Sequence, residues 1–202
     1  MNPLTQAFYL REAVTVAKEL LGKILIRQIN GKAYCFKIVE TEAYMGVMDK
    51  ASHAYGGKFT NRTKPMFERG GITYIYLIYG MYYCLNIVTQ DKDIPQAVLI
   101  RAVEPLDEEA IELAKSNRPI KSKKNYDLTN GPGKLCQALA IDKTLNEKDV
   151  TKQNLLWIAD APLITHIIKD KRINIPYAME YQDMEWRFYI AENPFVSVLK
   201  NN

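Results

Sequence analysis

Hydrophobic positions along the chain change period several times, and the changes mark its elements. Over residues 11–21, REAVTVAKELL, apolar Val14, Ala17, Leu20 and Leu21 recur at helical spacing and Gly22 follows. An amphipathic helix with a glycine stop is expected there. Beyond it the pattern shortens to the alternation and brief apolar runs of strands: Ile24–Gln28, Ala33–Tyr44, Thr73–Tyr79, Tyr82–Thr89 and Ala97–Val103. Asn30-Gly31, between the first two, reads as a tight hairpin turn. Helical character returns at Asp107–Ser116, and again at Lys134–Ile141 after the Gly131-Pro132-Gly133 breaker. Three short strand-like pieces follow at Leu155–Ile158, Ile164–Lys169 and Trp186–Ile190. Consecutive strands lack helices between them, which favours an antiparallel sheet with helices packed around it. The expected class is α+β. No linker, repeat or low-complexity tract divides the 202 residues, so one domain over 1–202 is expected.

Composition narrows the class without naming a function. A hydrophobic content of 48% supports a substantial core. The balance of 27 Lys+Arg against 23 Asp+Glu, net +4, permits a nucleic-acid partner without demanding one. The start, MNPLTQAFYLREAV, lacks the charged and long apolar regions of a secretory signal. No apolar stretch approaches the roughly 20 residues that span a bilayer. A cytoplasmic protein is the expectation. Cys35, Cys84 and Cys136 are isolated, with no C-x-x-C pair, and are expected as three buried thiols rather than a disulfide or zinc framework. The stretch 116–128, with Lys121, Lys123 and Lys124, reads as an exposed loop, its lysines either solvated or touching phosphate.

Candidate chemistry concentrates in five places. In Ile38–Tyr44, IVETEAY, strand alternation puts Ile38, Glu40, Glu42 and Tyr44 on one face. Two carboxylates on an otherwise apolar strand are costly to bury without partners; they are either surface ion pairs or a tuned general base for water. His53 follows in a loop-like segment and is either solvated or a base-binding group, whereas His166 lies in an apolar run and is expected in the core. Thr73–Asn86 is rich in tyrosine, with Tyr74 and Tyr76 on one side of a strand and Tyr79-Gly80 at a hairpin tip or bulge. Such rings are either core material or stacking platforms, and a tip tyrosine can wedge between base pairs. Arg101 shares a strand face with Leu99 and needs an acidic or phosphate partner, for which Glu40 or Glu104 would serve. Asn130–Lys134 opens a helix and is either a plain helix start or a set of exposed N–H groups that holds a phosphate, without the spacing of a nucleotide-binding P-loop.

The runs IVETEAY, SHAYGG (Ser52–Gly57), TYIYLIYGMYYCLNIV (Thr73–Val88), AVLIRAVEP (Ala97–Pro105) and NGPGKLCQALAI (Asn130–Ile141) resemble successive blocks of the alkyladenine (3-methyladenine) DNA glycosylases, bacterial type. LLGKILIR near the start and WRFYIAENPFVSV near the end are also similar, so the resemblance covers roughly residues 9–199. It implies a curved antiparallel sheet and a monofunctional hydrolase of N-glycosyl bonds. Such an enzyme flips a damaged purine out of double-stranded DNA, uses no metal or organic cofactor, and initiates base excision repair as a monomer. The substrate class is 3-methyladenine, 7-methylguanine, hypoxanthine and ethenoadenine.

By the same resemblance, Glu42 matches the general base and Arg101 a residue that holds the attacking water or the Glu42 carboxylate. Tyr44 and His53 match one wall of the base pocket, Tyr76 the opposite wall, and Leu99 another lining position. Asn86 matches a guard against undamaged guanine, and Tyr79 the side chain that fills the gap left by the flipped nucleotide. Arg62, Lys64 and Lys134 are candidate phosphate contacts. The segment Arg172–Glu185 departs from the family's glycine-containing version, which puts its local shape and DNA contacts in question. The competing readings are a lesion binder without turnover, a hydrolase of free nucleosides or RNA, and a structural protein.

Overall fold

The computed structural model describes residues 1–199. Its axis is a long strand, β2 (Lys32–Tyr44), joined to β1 (Ile24–Ile29) by a turn in which Asn30 and Gly31 both have left-handed φ, 51° and 81°. On its other side β2 pairs with β5 (Gln96–Pro105), and the sheet continues through β4 (Tyr82–Thr89) to β3 (Thr73–Ile78). β6 (Leu156–Ala159) pairs with β1. Past the end of β1, β2 takes a second partner, β8 (Arg187–Ile190), which also pairs with β7 (Ile167–Asp170). All pairings in this curved eight-stranded sheet are antiparallel. The α+β architecture is as expected.

Helices cover one face. After a single turn, α1 (Gln6–Tyr9), comes α2 (Ala13–Leu20), which buries Ala13, Val16, Ala17 and Leu20 against β2 and β5. α3 (Glu108–Asn117) begins at Asp107, whose carboxylate accepts the Ala110 N–H at 2.7 Å. α4 (Pro132–Ala138) starts earlier than the sequence pattern suggested because proline fits a first helical turn. It stops at a left-handed Ala140 (φ 49°), with the Ile141 N–H closing on the Cys136 carbonyl at 2.7 Å. Between helices and sheet lies the main core, to which the strands contribute Ile38, Ile75, Leu85, Ile87, Val98 and Ile100.

One strand feature differs from expectation and matters for function. The register of β2 against β5 is irregular between Ile38 and Thr41. Ile38 packs in the main core, yet so does Ala43, and the Thr41 hydroxyl donates to the Ala17 carbonyl of α2 at 2.8 Å. Parity therefore switches at this bulge, and Ile38 does not share a face with Glu42 and Tyr44. Each strand has two residues between the partners Ile38–Val103 and Thr41–Ile100, so the irregularity is matched in β5 and re-aims side chains on both strands.

Three further expectations are corrected. β7 begins at Ile167, opposite Ile190, and not at Ile164; upstream of it a single bond from the Ala191 N–H to the His166 carbonyl, 3.0 Å, closes the ladder. His166, just before β7, is exposed rather than a core residue. Cys84 and Cys136 are buried, but Cys35, opposite Ile26 midway along the β1–β2 hairpin, is half-buried.

Candidate active site

The sheet face away from the main core is polar and aromatic. Glu42 and Tyr44 of β2, Tyr74 and Tyr76 of β3, Cys84 and Asn86 of β4, and Leu99 and Arg101 of β5 all lie there, alternating with core residues on the same strands. The register explains their proximity: Glu42 is directly opposite Leu99, Leu99 is opposite Asn86, and Asn86 is opposite Tyr74.

Both glutamates of β2 are fully buried, which rules out the surface-pair reading. Glu40 is compensated by Arg101 (Nε to Oε1, 3.2 Å), by Arg187 (2.9 Å) and by the Ser197 N–H (2.8 Å). Arg187 continues to Asp170 at 2.6 Å. Arg101 also pairs with Glu42, 3.2 Å from Nη1 to Oε1, while Glu104 is taken by Lys37. Burial alone would lower the Arg101 pKa, but Glu42 and Glu40 outweigh it and hold it above its usual value, so the guanidinium stays a cation.

Glu42 has further partners. Oε1 accepts the Ile173 N–H at 2.8 Å, and Oε2 accepts the Tyr44 hydroxyl at 2.9 Å. Burial, and then the charge of Glu42, push the Tyr44 phenol well above its ordinary pKa, so it donates as a neutral hydroxyl. A carboxylate offers about four acceptor directions, two per oxygen. The Ile173 N–H fills one on Oε1, with Arg101 Nη1 beside it at 3.2 Å, and Tyr44 fills one on Oε2, which keeps a second direction open to a water molecule.

Above this group opens a cleft of about 240 Å³, lined by Tyr44, His53, Tyr76, Leu99 and Arg101 and also by Tyr79, Tyr82, Gly133, Ile173 and Tyr177. A smaller cavity of about 40 Å³ continues inward past Tyr44, His53, Tyr76 and Tyr177 to Asn86. The Asn86 amide is fixed by donating to the Tyr74 carbonyl at 3.1 Å. His53 arrives on the irregular loop after β2 and meets Tyr76 edge-on, ring centroids 4.6 Å apart. Its Nδ1 lies 2.8 Å from the Tyr74 hydroxyl. Burial, then Arg62 and Lys58, lower the His53 pKa to about 4, so the ring is neutral near pH 7.

The β3–β4 hairpin ends in a tip rather than a bulge. Tyr79 and Gly80 both have left-handed φ, 53° and 69°, and the Met81 N–H closes on the Ile78 carbonyl at 3.2 Å. Tyr79 is 75% exposed. Of the basic candidates, Arg62 lies over the Tyr76 ring at 5.0 Å, Lys64 is exposed at a short helical turn, and Lys134 is half-buried with its ammonium on Asn130 Oδ1 at 2.7 Å. Among the described residues, no group of three or more His, Cys, Asp or Glu side chains is placed to hold a metal ion. No described helix is long and apolar enough to cross a membrane.

Sequence reasoning missed the contribution of the segment 172–185, which supplies the Ile173 N–H and the Tyr177 ring. It also passed over Arg187, although an arginine within the apolar run WRFYI carries the same signal that singled out Arg101.

The chain matches the methylpurine-DNA glycosylase family model over residues 7–194. It is 50% identical over 197 residues to a Natranaerobius thermophilus protein named "Putative 3-methyladenine DNA glycosylase", covering 96% of this chain and 98% of that one. Proteins of the same name from Clostridium perfringens strain 13 (50% over 201 residues, 96% and 98% covered) and Borrelia garinii (51% over 193 residues, 94% and 97% covered) are similarly close. A family match over most of the chain, with relatives of the same length at half identity, leaves one assignment: this chain belongs to the methylpurine-DNA glycosylase family.

Proposed function

We propose that this protein excises alkylated or deaminated purines from duplex DNA, of the 3-methyladenine, 7-methylguanine, hypoxanthine and ethenoadenine class, by hydrolysis with a water that Glu42 deprotonates. The observation that carries the reading is the buried Glu42 carboxylate beneath an aromatic cleft, held by Arg101, Tyr44 and the Ile173 N–H with an acceptor direction of Oε2 still open.

The chemistry follows from that placement. Alkylation or protonation makes the purine a good leaving group, so the enzyme's main tasks are to position water and to stabilise positive charge developing on the sugar. Glu42 does both: it takes the water's proton, and its negative charge favours an oxocarbenium-like transition state. Arg101 balances the charge of Glu42 from 3.2 Å away. Tyr44, His53 and Tyr76 line the cleft, with His53 edge-on to Tyr76, and an electron-poor base gains from stacking on such rings. A neutral His53 adds no positive charge to repel a cationic adduct. Asn86, fixed at the inner end, obstructs the exocyclic amine of undamaged guanine. Tyr79 at the hairpin tip enters the duplex and occupies the space of the extruded nucleotide, whose removal from the stack costs a few kcal/mol. Arg62, Lys64 and Lys134 contact phosphates once DNA is bound, and the enzyme acts as a cytoplasmic monomer.

The test is single-turnover base release from duplexes bearing one hypoxanthine or one 7-methylguanine, with EDTA present. Wild type should release base from the damaged strand only. Glu42→Gln should keep its fold and its affinity for the lesion while losing about 10²–10⁴-fold in rate, the usual worth of a general base. A Gln variant as fast as wild type would remove Glu42 from the reaction.

A further inference from the structure

Arg172 opens the segment that sequence reasoning left unassigned, and its side chain is completely buried beside an equally buried Asp49. The two form a forked ion pair, Nη1 to Oδ2 at 2.6 Å and Nη2 to Oδ1 at 2.9 Å. The same guanidinium donates to the Ala43 carbonyl at 3.0 Å and to the Tyr181 carbonyl at 3.2 Å. It lies between two rings, 4.8 Å from the centre of Tyr44 and 4.9 Å from that of Trp186.

We propose that Arg172 is a positioning residue for base hydrolysis, fixing three separate parts of the site in one geometry; the inference rests on the glycosylase reading above. The first part is the neighbouring Ile173 N–H, which reaches Glu42 Oε1 at 2.8 Å and is aimed by the backbone that Arg172 anchors. The second is Tyr44, whose ring rests on the guanidinium while its hydroxyl holds Glu42 Oε2 at 2.9 Å. The third is the loop that carries His53. Asp49 accepts the N–H groups of Met45 and Ala51, each at 3.0 Å, so the ion pair ties that loop to the end of β2. Arg172 touches neither cleft nor cavity, and it acts only through these groups.

The fork explains why this residue type is needed. A planar guanidinium makes two parallel bonds to one carboxylate, donates sideways to two carbonyls and still presents flat faces to two rings. An ammonium supplies the charge and one or two of these bonds, without the stacking. A lysine at this position keeps the buried pair electrically balanced while loosening the geometry, and misplacement by an ångström slows reactions about a hundredfold.

The experiment compares wild type, Arg172→Lys and Trp186→Leu, each measured for thermal unfolding, for affinity toward a hypoxanthine duplex, and for single-turnover release. Trp186→Leu leaves the ion pair intact but opens the sandwich, and it decides the matter alone if the lysine variant does not fold. For folded Arg172→Lys the expected result is release about a hundredfold slower at an affinity within about threefold of wild type. Trp186→Leu should be slowed less, in the same pattern. A folded lysine variant that releases base at the wild-type rate overturns the proposal, and so does a rate that falls only in step with affinity or folded fraction. Wild type releasing no damaged base would instead sink the glycosylase reading, and this inference with it.

Discussion

The sheet side and the 172–185 side of the site hold the same carboxylate by different means. On the sheet side, Glu42, Glu40, Arg101 and Arg187 come from paired strands, and each guanidinium bridges more than one acid. Their positions follow from strand register, so the network is held as firmly as the sheet itself. On the other side, Ile173 and Arg172 sit in irregular backbone, and the hold depends on one ion pair, a pair of rings and a main-chain N–H. The sheet supplies charge balance for a buried acid; the irregular segment supplies aim. Charge balance is chiefly a matter of stability, and aim is chiefly a matter of rate.

Arg101→Ala should produce the largest effect and test the first half of that contrast. Removing one partner from a buried ionic group leaves the others uncompensated, at a cost of about 3–5 kcal/mol. Urea unfolding should show that loss; a change under 1 kcal/mol would mean that the network is not what keeps the two glutamates buried.

The loop carrying His53 belongs to the side that aims, and it should make stability pH-dependent. The folded pKa is about 4, below the ordinary value of about 6.5. The native state therefore binds fewer protons than the unfolded chain between those values, and stability falls as pH drops through that window; above it the contribution vanishes. His53→Gln removes this slope, so the difference in unfolding temperature between wild type and variant should change sharply between pH 7 and pH 4.5. A constant difference would show that the ring is not held neutral.

Tyr79 stands apart from both sides, at the exposed hairpin tip. Tyr79→Ala should leave stability within about 0.5 kcal/mol, as for surface changes. It should nevertheless weaken extrusion, read as a lower fluorescence gain with an ethenoadenine duplex. Unchanged fluorescence and release would remove the wedge role.

The smallest effect concerns backbone strain in the irregular segment. Met179 is 62% exposed and sits at φ 51°, ψ −126°, a region that only glycine enters cheaply. Relief of strain exceeds the added chain entropy of glycine, so Met179→Gly should stabilise the protein by about 1 kcal/mol. A fall in unfolding temperature would mean that the side chain, which meets Lys50 at 3.5 Å, matters more than the strain.

These contrasts also explain what the sequence could and could not disclose. Alternation and turn residues located the strands around Glu42, Tyr76, Asn86 and Arg101 to within a few residues, because each strand carries its own period of two. The bulge near Val39 left no such mark, since a slip between partners is a property of the pair. Residues 172–185 have no period to read, and part of what they contribute is a main-chain N–H that any residue except proline could provide. The resemblance to a glycosylase family named the roles of individual residues; periodicity alone left Glu42 as either a surface acid or a base.

The bulge in β2 has a consequence for how this chain tolerates change in length. Because strand faces alternate residue by residue, the site and the main core differ here by one step of phase. Losing one of the two residues between Ile38 and Thr41 would shift the following side chains by one place against β5, turning Glu42 and Tyr44 toward α2 and bringing Thr41 and Ala43 to the cleft. A single-codon deletion at this point would thus exchange inside and outside along half a strand, whereas a deletion in the exposed Lys121–Lys124 loop would only shorten a connection.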